Sequence, residues 1–291
     1  MRIAYLSSRQ TLPGSPNRRT DAFEHDQMVA CLDTGFAPHG AEIVPVSWDD
    51  EQADWSAFDA ALIGSTWDYP DRLGEFLLRL EEIERRTALL NPGALVRWNS
   101  RKTYLRELER RGVPTIPTLW LETVDSRAAA DAFATLASAD LIFKRQIGAG
   151  AEGQYRLRKG DPLPAMPEPM MVQPFLPAIA EEGEYSFVFI DGALSHALQK
   201  TAAAGDYRIQ STYGGRESAI SPPESDRKAA ESVLAALDET PLYARVDMVR
   251  GADGALLLME LELIEPFLYP LQGDGLGARI YDALARRIST R

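Results

Sequence analysis

An α/β fold is predicted for this chain, and three stretches predict it. From Arg2 to Arg86 short apolar runs alternate with amphipathic ones, which implies a parallel sheet with helices on both faces. Between Asp140 and Arg158 a glycine-rich segment separates two strand-like runs. Tyr243 to Pro266, YARVDMVRGADGALLLMELELIEP, reads as a β-hairpin near the C-terminus. A parallel-sheet region is therefore followed by β-rich structure.

Residues 2 to 7 (RIAYLS) read as a buried strand. Asp21 and Glu24 have the spacing of a capping box and start a helix that runs to Phe36. Ala41 to Trp48 and Phe58 to Gly64 are further strands, and an amphipathic helix is expected from Asp71 to Arg86. Loops beyond the carboxyl ends of such strands face the ligand crevice, which places Ser7, Ser8, Arg9 and Thr66 to Tyr69 beside a site. Trp67 and Tyr69 serve equally well as caps on the core. Asn91-Pro92 closes this region.

A helix is expected from Ser100 to Arg111, stopped by Gly112 and Pro114. It sets Lys102 in the first turn, where a cation opposes the helix dipole unless an anion binds beside it; a solvated lysine is the alternative. Asp140 to Gly153 (DLIFKRQIGAGAEG) is more specific, because a strand delivers Lys144 and the glycines Gly148, Gly150 and Gly153 follow. Glycines let backbone N–H groups approach phosphate oxygens closely, and a lysine just before them adds a point charge. The spacing also matches G-x-G-x-x-G, but that fingerprint needs a helix at the glycines, whereas Gln154 to Arg158 alternates like a strand. Strand, glycine loop, strand suits a flap over phosphates.

Met170 to Leu176 (MMVQPFL) is a strand broken by Pro174, either at a sheet edge or offering its backbone to the edge of an adenine. Gly183 to Ile190 and Ala193 to Lys200 form a hairpin about Asp191-Gly192. Beyond it, Arg208 can clamp a carboxylate or phosphate, and Gly214-Gly215 can donate backbone N–H groups. A helix from Glu224 to Leu237 leads into the last hairpin.

With Gly251 to Gly254 as the loop of that hairpin, Arg250 pairs with Ala255 and Arg245 lies opposite Glu260, with Asp247 diagonally between Leu258 and Glu260. Alternation puts Asp247, Glu260 and Glu262 on the face of Arg245, and Val246, Met248, Leu257, Met259, Leu261 and Leu263 on the other. Clustered carboxylates beside an apolar layer are costly unless compensated. A hard divalent cation shared with substrate phosphates compensates them; a solvated face with Arg245 paired to Glu260 is the other reading.

Composition narrows the classes of partner. The 291 residues are 45% hydrophobic, enough for two or three subdomains with their own cores. The formal charge of −12 argues against a nucleic-acid backbone or an anionic membrane as main partner, so an anion must be drawn in by a local basic pocket or a metal. Cys31, the single cysteine, excludes a disulfide framework and a thiolate zinc site and reads as a small core residue. His25, His39 and His196 are too scattered for a metal cluster. With no signal-like N-terminus and no run of ~18 apolar residues, a cytoplasmic location without a membrane partner is expected.

Lysine near a helix start, lysine before a glycine loop, the Gln173 to Leu176 run, then Asp247 and two spaced carboxylates form a series that resembles the ATP-grasp superfamily, in the branch of glutathione synthetase and the ribosomal-protein S6 modifying ligases. "TWDYP" (66–70), "GDYRIQSTYGG" (205–215) and "ELELIEP" (260–266) resemble the cycloserine-biosynthesis cyclo-ligase type more closely. The resemblance spans nearly the whole chain. It implies a Rossmann-like domain over residues 1–98, a small ATP-grasp subdomain with the flap over 99–175, and a C-terminal subdomain with a metal site over 176–291.

The cofactors implied are ATP and Mg²⁺, as two ions that Mn²⁺ can replace. Carried over by position, Lys102 and Lys144 contact ATP phosphates and Gly148, Gly150 and Gly153 close over them. Gln173, Phe175 and Leu176 form the adenine hinge, and Glu184 lies at the ribose. Lys200, Arg208 and Gly215 face the γ-phosphate and the acyl substrate, while Asp247, Glu260 and Glu262 hold metal. The superfamily commonly has Glu-x-Asn where this chain has Glu260-Leu-Glu262. Glu262 is thus either not a ligand or one more negative charge that demands metal.

The activity implied is ATP-dependent ligation of a carboxylate to an amine, between two molecules or within one, through an acyl-phosphate. Such chemistry needs positioning and charge neutralisation rather than a protein nucleophile, and no serine or cysteine nucleophile motif occurs. A small amino-acid-like substrate is expected, met by residues drawn from Arg9, Thr66, Trp67, Asp68, Arg208, Gly215 and Glu265, in a homodimer. A phosphotransferase on the same nucleotide site, or a nucleotide-binding protein without turnover, are the alternatives. Lys144, Arg208 and the three carboxylates speak against the last.

Overall fold

The computed structural model describes residues 1–148, 150, 153–202 and 214–289. Strands β1 (Arg2–Ser7), β2 (Glu42–Ser47), β3 (Ala60–Ile63) and β4 (Ala88–Leu90) form a parallel sheet in the order β2-β1-β3-β4. Side-chain alternation along β1 decides what covers each face. Ile3 and Tyr5 pack with Met28, Leu32 and Phe36 of α1 (Phe23–Phe36), and Ala4 and Leu6 pack with Phe76, Leu80 and Ile83 of α2 (Leu73–Glu84). β4 is too short for periodicity to reveal. The expected capping box does not form: Arg19 holds Asp21 at 2.7 Å, and Ala22, at the N-cap, has no side-chain acceptor.

The single helix expected over Ser100 to Arg111 is two: α3 (Gly93–Asn99) and α4 (Tyr104–Arg110). Lys102 lies in the turn between them rather than in a first helical turn, because its N–H donates to the Gln146 carbonyl at 2.8 Å. A second, antiparallel sheet contains β5 (Leu119–Leu121), β6 (Asp140–Arg145), β7 (Tyr155–Arg158) and β8 (Met170–Pro174) in the order β5-β8-β6-β7. Helix α5 (Ser126–Thr135) shares its core with Leu141, Phe143, Met170 and Val172. β8 is therefore an inner strand, with Pro174 confined to its last position, where it faces Leu141.

After α6 (Ala178–Glu181), a third, antiparallel sheet is built from β9 (Glu184–Ile190), β10 (Ala193–Thr201), β11 (Arg216–Ile220), β12 (Tyr243–Arg250) and β13 (Leu256–Glu262), in the order β11-β10-β9-β12-β13. Asp191 and Gly192, with φ of 52° and 80°, close the β9–β10 hairpin as expected. Helix α7 (Glu224–Ala235) and α4 cover one face of this sheet.

The register of β12 and β13 differs from expectation. The loop is one residue longer, since Gly251 N–H donates to the Ala255 carbonyl at 2.8 Å and Arg250 pairs with Leu256. A β-bulge at Met259 then makes Asp247 face Glu260 and Arg245 face Glu262. Before the bulge Leu256 and Leu258 point into the core; after it Leu261 and Leu263 do. Leu257 and Met259 therefore leave the apolar face, and Met259 lines a cavity.

Asn91 and the last described helix are prominent among the contacts that join the N-terminal sheet to the rest. Buried Asn91 donates to the carbonyls of Tyr243 and Leu263 at 3.0 and 2.8 Å and accepts from Leu242 N–H at 2.6 Å. Helix α8 (Leu276–Ser289), amphipathic through Leu276, Ile280, Ala283 and Leu284, packs along α1. At their crossing Gly277 meets Gly35 and the Cys31 carbonyl so closely that any Cβ on either glycine overlaps backbone. Gly277→Ala is expected to lower the urea midpoint by the equivalent of about 2 kcal/mol, despite alanine's better helix propensity. Gly74→Ala on α2, where the added methyl meets open space, should not lower it; equal behaviour of both variants would refute the close crossing.

Candidate active site

One cavity gathers most of the expected site residues: Lys102, Lys144, Gly148, Gly150, Gln173, Phe175, Leu176, Glu184, Lys200, Asp247, Glu260 and Glu262 all line it. It opens between the second and third sheets, with Tyr69 of the N-terminal region on its wall. Gly153 and Gly215 do not line it, and Arg208 lies outside the described residues. Gly153, at φ 67°, packs against the Arg145 side chain instead. Of the residues expected to meet a substrate, Glu265 lines the cavity and Arg9, Thr66, Trp67 and Asp68 do not. Arg9 bonds Asp49 at 3.0 Å, Asp68 accepts from Trp48 at 2.8 Å, Trp67 lies under the Arg19 guanidinium, and Thr66 is buried.

One end of the cavity is apolar and backbone-rich. Ile116, Ile142, Pro174, Phe175 and Leu176 line it beside Gln173, whose amide donates to Thr118 Oγ1 at 2.9 Å. The Phe175 ring is covered by Arg156 at 3.4 Å. Next to this end, β6 delivers Lys144 and Arg145 beneath the glycines. Burial pushes the Lys144 amine below its ordinary value, and it has no hydrogen-bond or ion-pair partner among the described residues. A half-buried, unpaired cation of this kind is poised for an anion. Arg145 runs under Gly148 and Gly153 to within 3.6 Å of Asp71.

The floor is acidic, and each strand contributes by alternation. Glu184 and Ser186 from β9, Lys200 from β10, Arg245 and Asp247 from β12, and Glu260 and Glu262 from β13 share one network. Lys200 binds Glu184 and lies 3.5 Å from Asp247; Ser186 Oγ donates to Asp247 at 2.5 Å. Arg245 donates to Asp247 at 2.9–3.0 Å and also binds Glu262, and Lys102 binds Glu260. The Arg245–Glu260 pair expected from the hairpin is absent among the described residues, because the bulge moves Glu262 opposite Arg245.

Burial and charge pull these groups apart. Burial drives Glu184 and Glu262 up to about 7, with Lys200 and Arg245 opposing. Asp247 is buried too, yet Arg245 and Lys200 hold it well below the usual carboxylate range. Lys102 is raised, its burial outweighed by Glu260, whereas Glu265 is pushed far upward by burial and by Glu262. Tyr69, Tyr104 and Tyr269 complete the wall, with Lys200 5.4 Å over the Tyr269 ring. Nothing in the sequence marks Tyr104 or Tyr269. Arg145 is marked only by its place beside Lys144.

The donor set suits a hard cation. Asp247 and Glu260 face each other across a strand pair with Glu262 next to them, offering oxygen only. Among the described residues no three acidic, histidine or cysteine groups stand together as a formed metal cluster; the carboxylates are neutralised by Lys102, Lys200 and Arg245. Among the described residues no helix is long and apolar enough to cross a membrane.

Comparison with known proteins assigns the class first. Residues 163–257 match the ATP-grasp domain of prokaryotic glutathione synthetase, and the D-alanine–D-alanine ligase of Bacillus anthracis has the same fold, with a TM-score of 0.69 at 17% identity over 100% of this chain and 98% of that one. Fold and site define an ATP-dependent ligase that forms C–N bonds and uses ATP with a divalent metal. Residues 3–91 match the N-terminal domain of D-cycloserine synthetase DcsG. The cycloserine biosynthesis protein DcsG of Streptomyces lavendulae is 32% identical over 280 residues, 90% of this chain and 92% of that protein. The crystal structure of D-cycloserine synthetase DcsG superposes with a TM-score of 0.84 at 27% identity, over 99% of this chain and 100% of the other. The chain belongs to the DcsG family of ATP-grasp ligases.

Proposed function

We propose that this enzyme activates the carboxylate of a small amino-acid-like molecule as an acyl-phosphate and closes a ring by joining it to a nitrogen of the same molecule, as the name of the DcsG relative suggests. The observation that carries this reading is the single cavity that joins the Gln173–Leu176 run, Lys144 with its glycines, and the opposed carboxylates of the last hairpin. Residues 1–98, 99–175 and 176–291 serve as the domains around it.

Adenine lies against Gln173, Phe175 and Leu176, with the ribose near Glu184. Lys102 and Lys144 hold the phosphates under Gly148, Gly150 and Gly153. Asp247, Glu260 and Glu262 hold Mg²⁺, which Mn²⁺ can replace and which supplies charge neutralisation at the phosphates. Arg208, Lys200 and Gly215 face the γ-phosphate and the carboxylate. A substrate carboxylate oxygen attacks the γ-phosphorus and ADP leaves; the nitrogen then attacks the acyl carbon, loses a proton, and phosphate leaves. The glycine loop keeps water from the acyl-phosphate.

The test is ADP release with Mg²⁺-ATP and a panel of D- and L-amino acids and O-substituted serines, with and without hydroxylamine. Hydroxamate formed together with ADP is the expected result. ADP release with a phosphorylated, hydroxylamine-inert product would identify a phosphotransferase, and no release with any compound would refute turnover on this class of substrate.

A further inference from the structure

Every acidic side chain on the cavity wall but one has a cation bonded to it. Glu184 is held by Lys200, Asp247 by Arg245, Glu260 by Lys102 and Glu262 by Arg245. Glu265 lines the same cavity and has no ion-pair partner among the described residues; its carboxyl accepts from its own backbone N–H. Lys102 is the cation whose field reaches it, and that amine is already bonded to Glu260. A half-buried carboxylate without a counter-cation is costly, and the cost is relieved when a ligand brings the missing positive charge.

Position decides which cation. Glu260 and Glu262 are two apart on one face of β13, across from Asp247. Glu265 lies beyond the strand end, separated from them by Leu263 and Ile264, both buried in apolar cores. It does not belong to the strand face on which metal is placed. It shares the cavity wall with Tyr69, whose phenol feels the charge of Glu265 ahead of Glu260 and Glu262. Tyr69 comes from the "TWDYP" loop of the N-terminal region, so Glu265 and Tyr69 bound the part of the cavity that this region supplies. A lone carboxylate off the strand face, in a cavity that also has an aromatic wall, suits an ammonium group better than a metal ion that demands several oxygens.

We infer that Glu265 is the anchor for a substrate ammonium group, and that the enzyme selects amino acids whose amine is free and protonated. This rests on the reading of the cavity as a ligase site. The reacting nitrogen is then a different one, since an ammonium held by Glu265 has no lone pair to attack with.

The test uses the full-length enzyme with Mg²⁺-ATP and hydroxylamine, the most active amino acid of the panel above, and its N-acetyl derivative. Wild type should reject the N-acetyl compound, and Glu265→Gln should raise the KM for the amino acid by about 30-fold or more while leaving the KM for ATP within a factor of about three. Glu265→Asp, which keeps the charge, should recover part of the loss. Unchanged nucleotide binding by Glu265→Gln shows that the variant is folded. An unaltered amino-acid KM with the preference over the N-acetyl compound retained would overturn the assignment, as would a variant whose defect lies in its Mg²⁺ dependence. If no amino acid gives ADP and hydroxamate even with wild type, the ligase reading fails and this inference with it.

Discussion

Glu260→Ala is expected to weaken Mg²⁺-dependent ATP binding by about 100-fold or more, equivalent to ~3 kcal/mol, when binding is followed by calorimetry with and without Mg²⁺. The effect is large because the carboxylate that faces Asp247 across the hairpin is lost from the three proposed to hold the metal. In the absence of Mg²⁺ the variant should bind ATP no worse than wild type, since Lys102 is then released toward the phosphates. Binding that is equally tight in both proteins and indifferent to Mg²⁺ would remove the metal from the hairpin and leave a nucleotide site alone.

The second large effect concerns stability. Asn91→Leu should destabilise the protein by about 3–5 kcal/mol, because it strips partners from three buried backbone groups, the carbonyls of Tyr243 and Leu263 and the N–H of Leu242. Those groups belong to β12, to the residue before it and to the residue after β13, so the loss falls where the β12–β13 hairpin meets the N-terminal sheet. Urea denaturation would read it as a lower midpoint. A midpoint unchanged within error would mean that water replaces the amide.

What could be read in advance followed from local rules. Alternation put Asp247, Glu260 and Glu262 on one face, and that survives in the fold because strand period is set by backbone geometry. The register did not survive. Loop length and the bulge at Met259 depend on how Leu256, Leu258, Leu261 and Leu263 fill a core shared with α4 and α7, and hydropathy along the strand carries no record of that fit. Lys102 shows the same limit at a helix end, since it leaves the helix for the carbonyl of Gln146, a residue far along the chain. Asn91 looked like the end of a region and is a junction, because all three of its partners are more than 150 residues away. Arg208, expected near the γ-phosphate, lies outside the described residues and stays part of the proposed mechanism.

The crossing of α1 and α8 bears on how the chain is made. Synthesis proceeds from the N-terminus, and the parallel sheet with α1 leaves the ribosome long before Leu276 is added. Until then Met28, Leu32 and Phe36 lack the side chains of Ile280 and Leu284 that share their core, and the groove beside Gly35 is empty of its counterpart Gly277. The nascent N-terminal region thus carries an unfinished apolar surface throughout elongation, and its burial waits for the last helix. Vectorial synthesis makes the docking of α8 the step that covers α1, so a ribosome stalled before α8 would present chaperones with a sticky, half-covered α1.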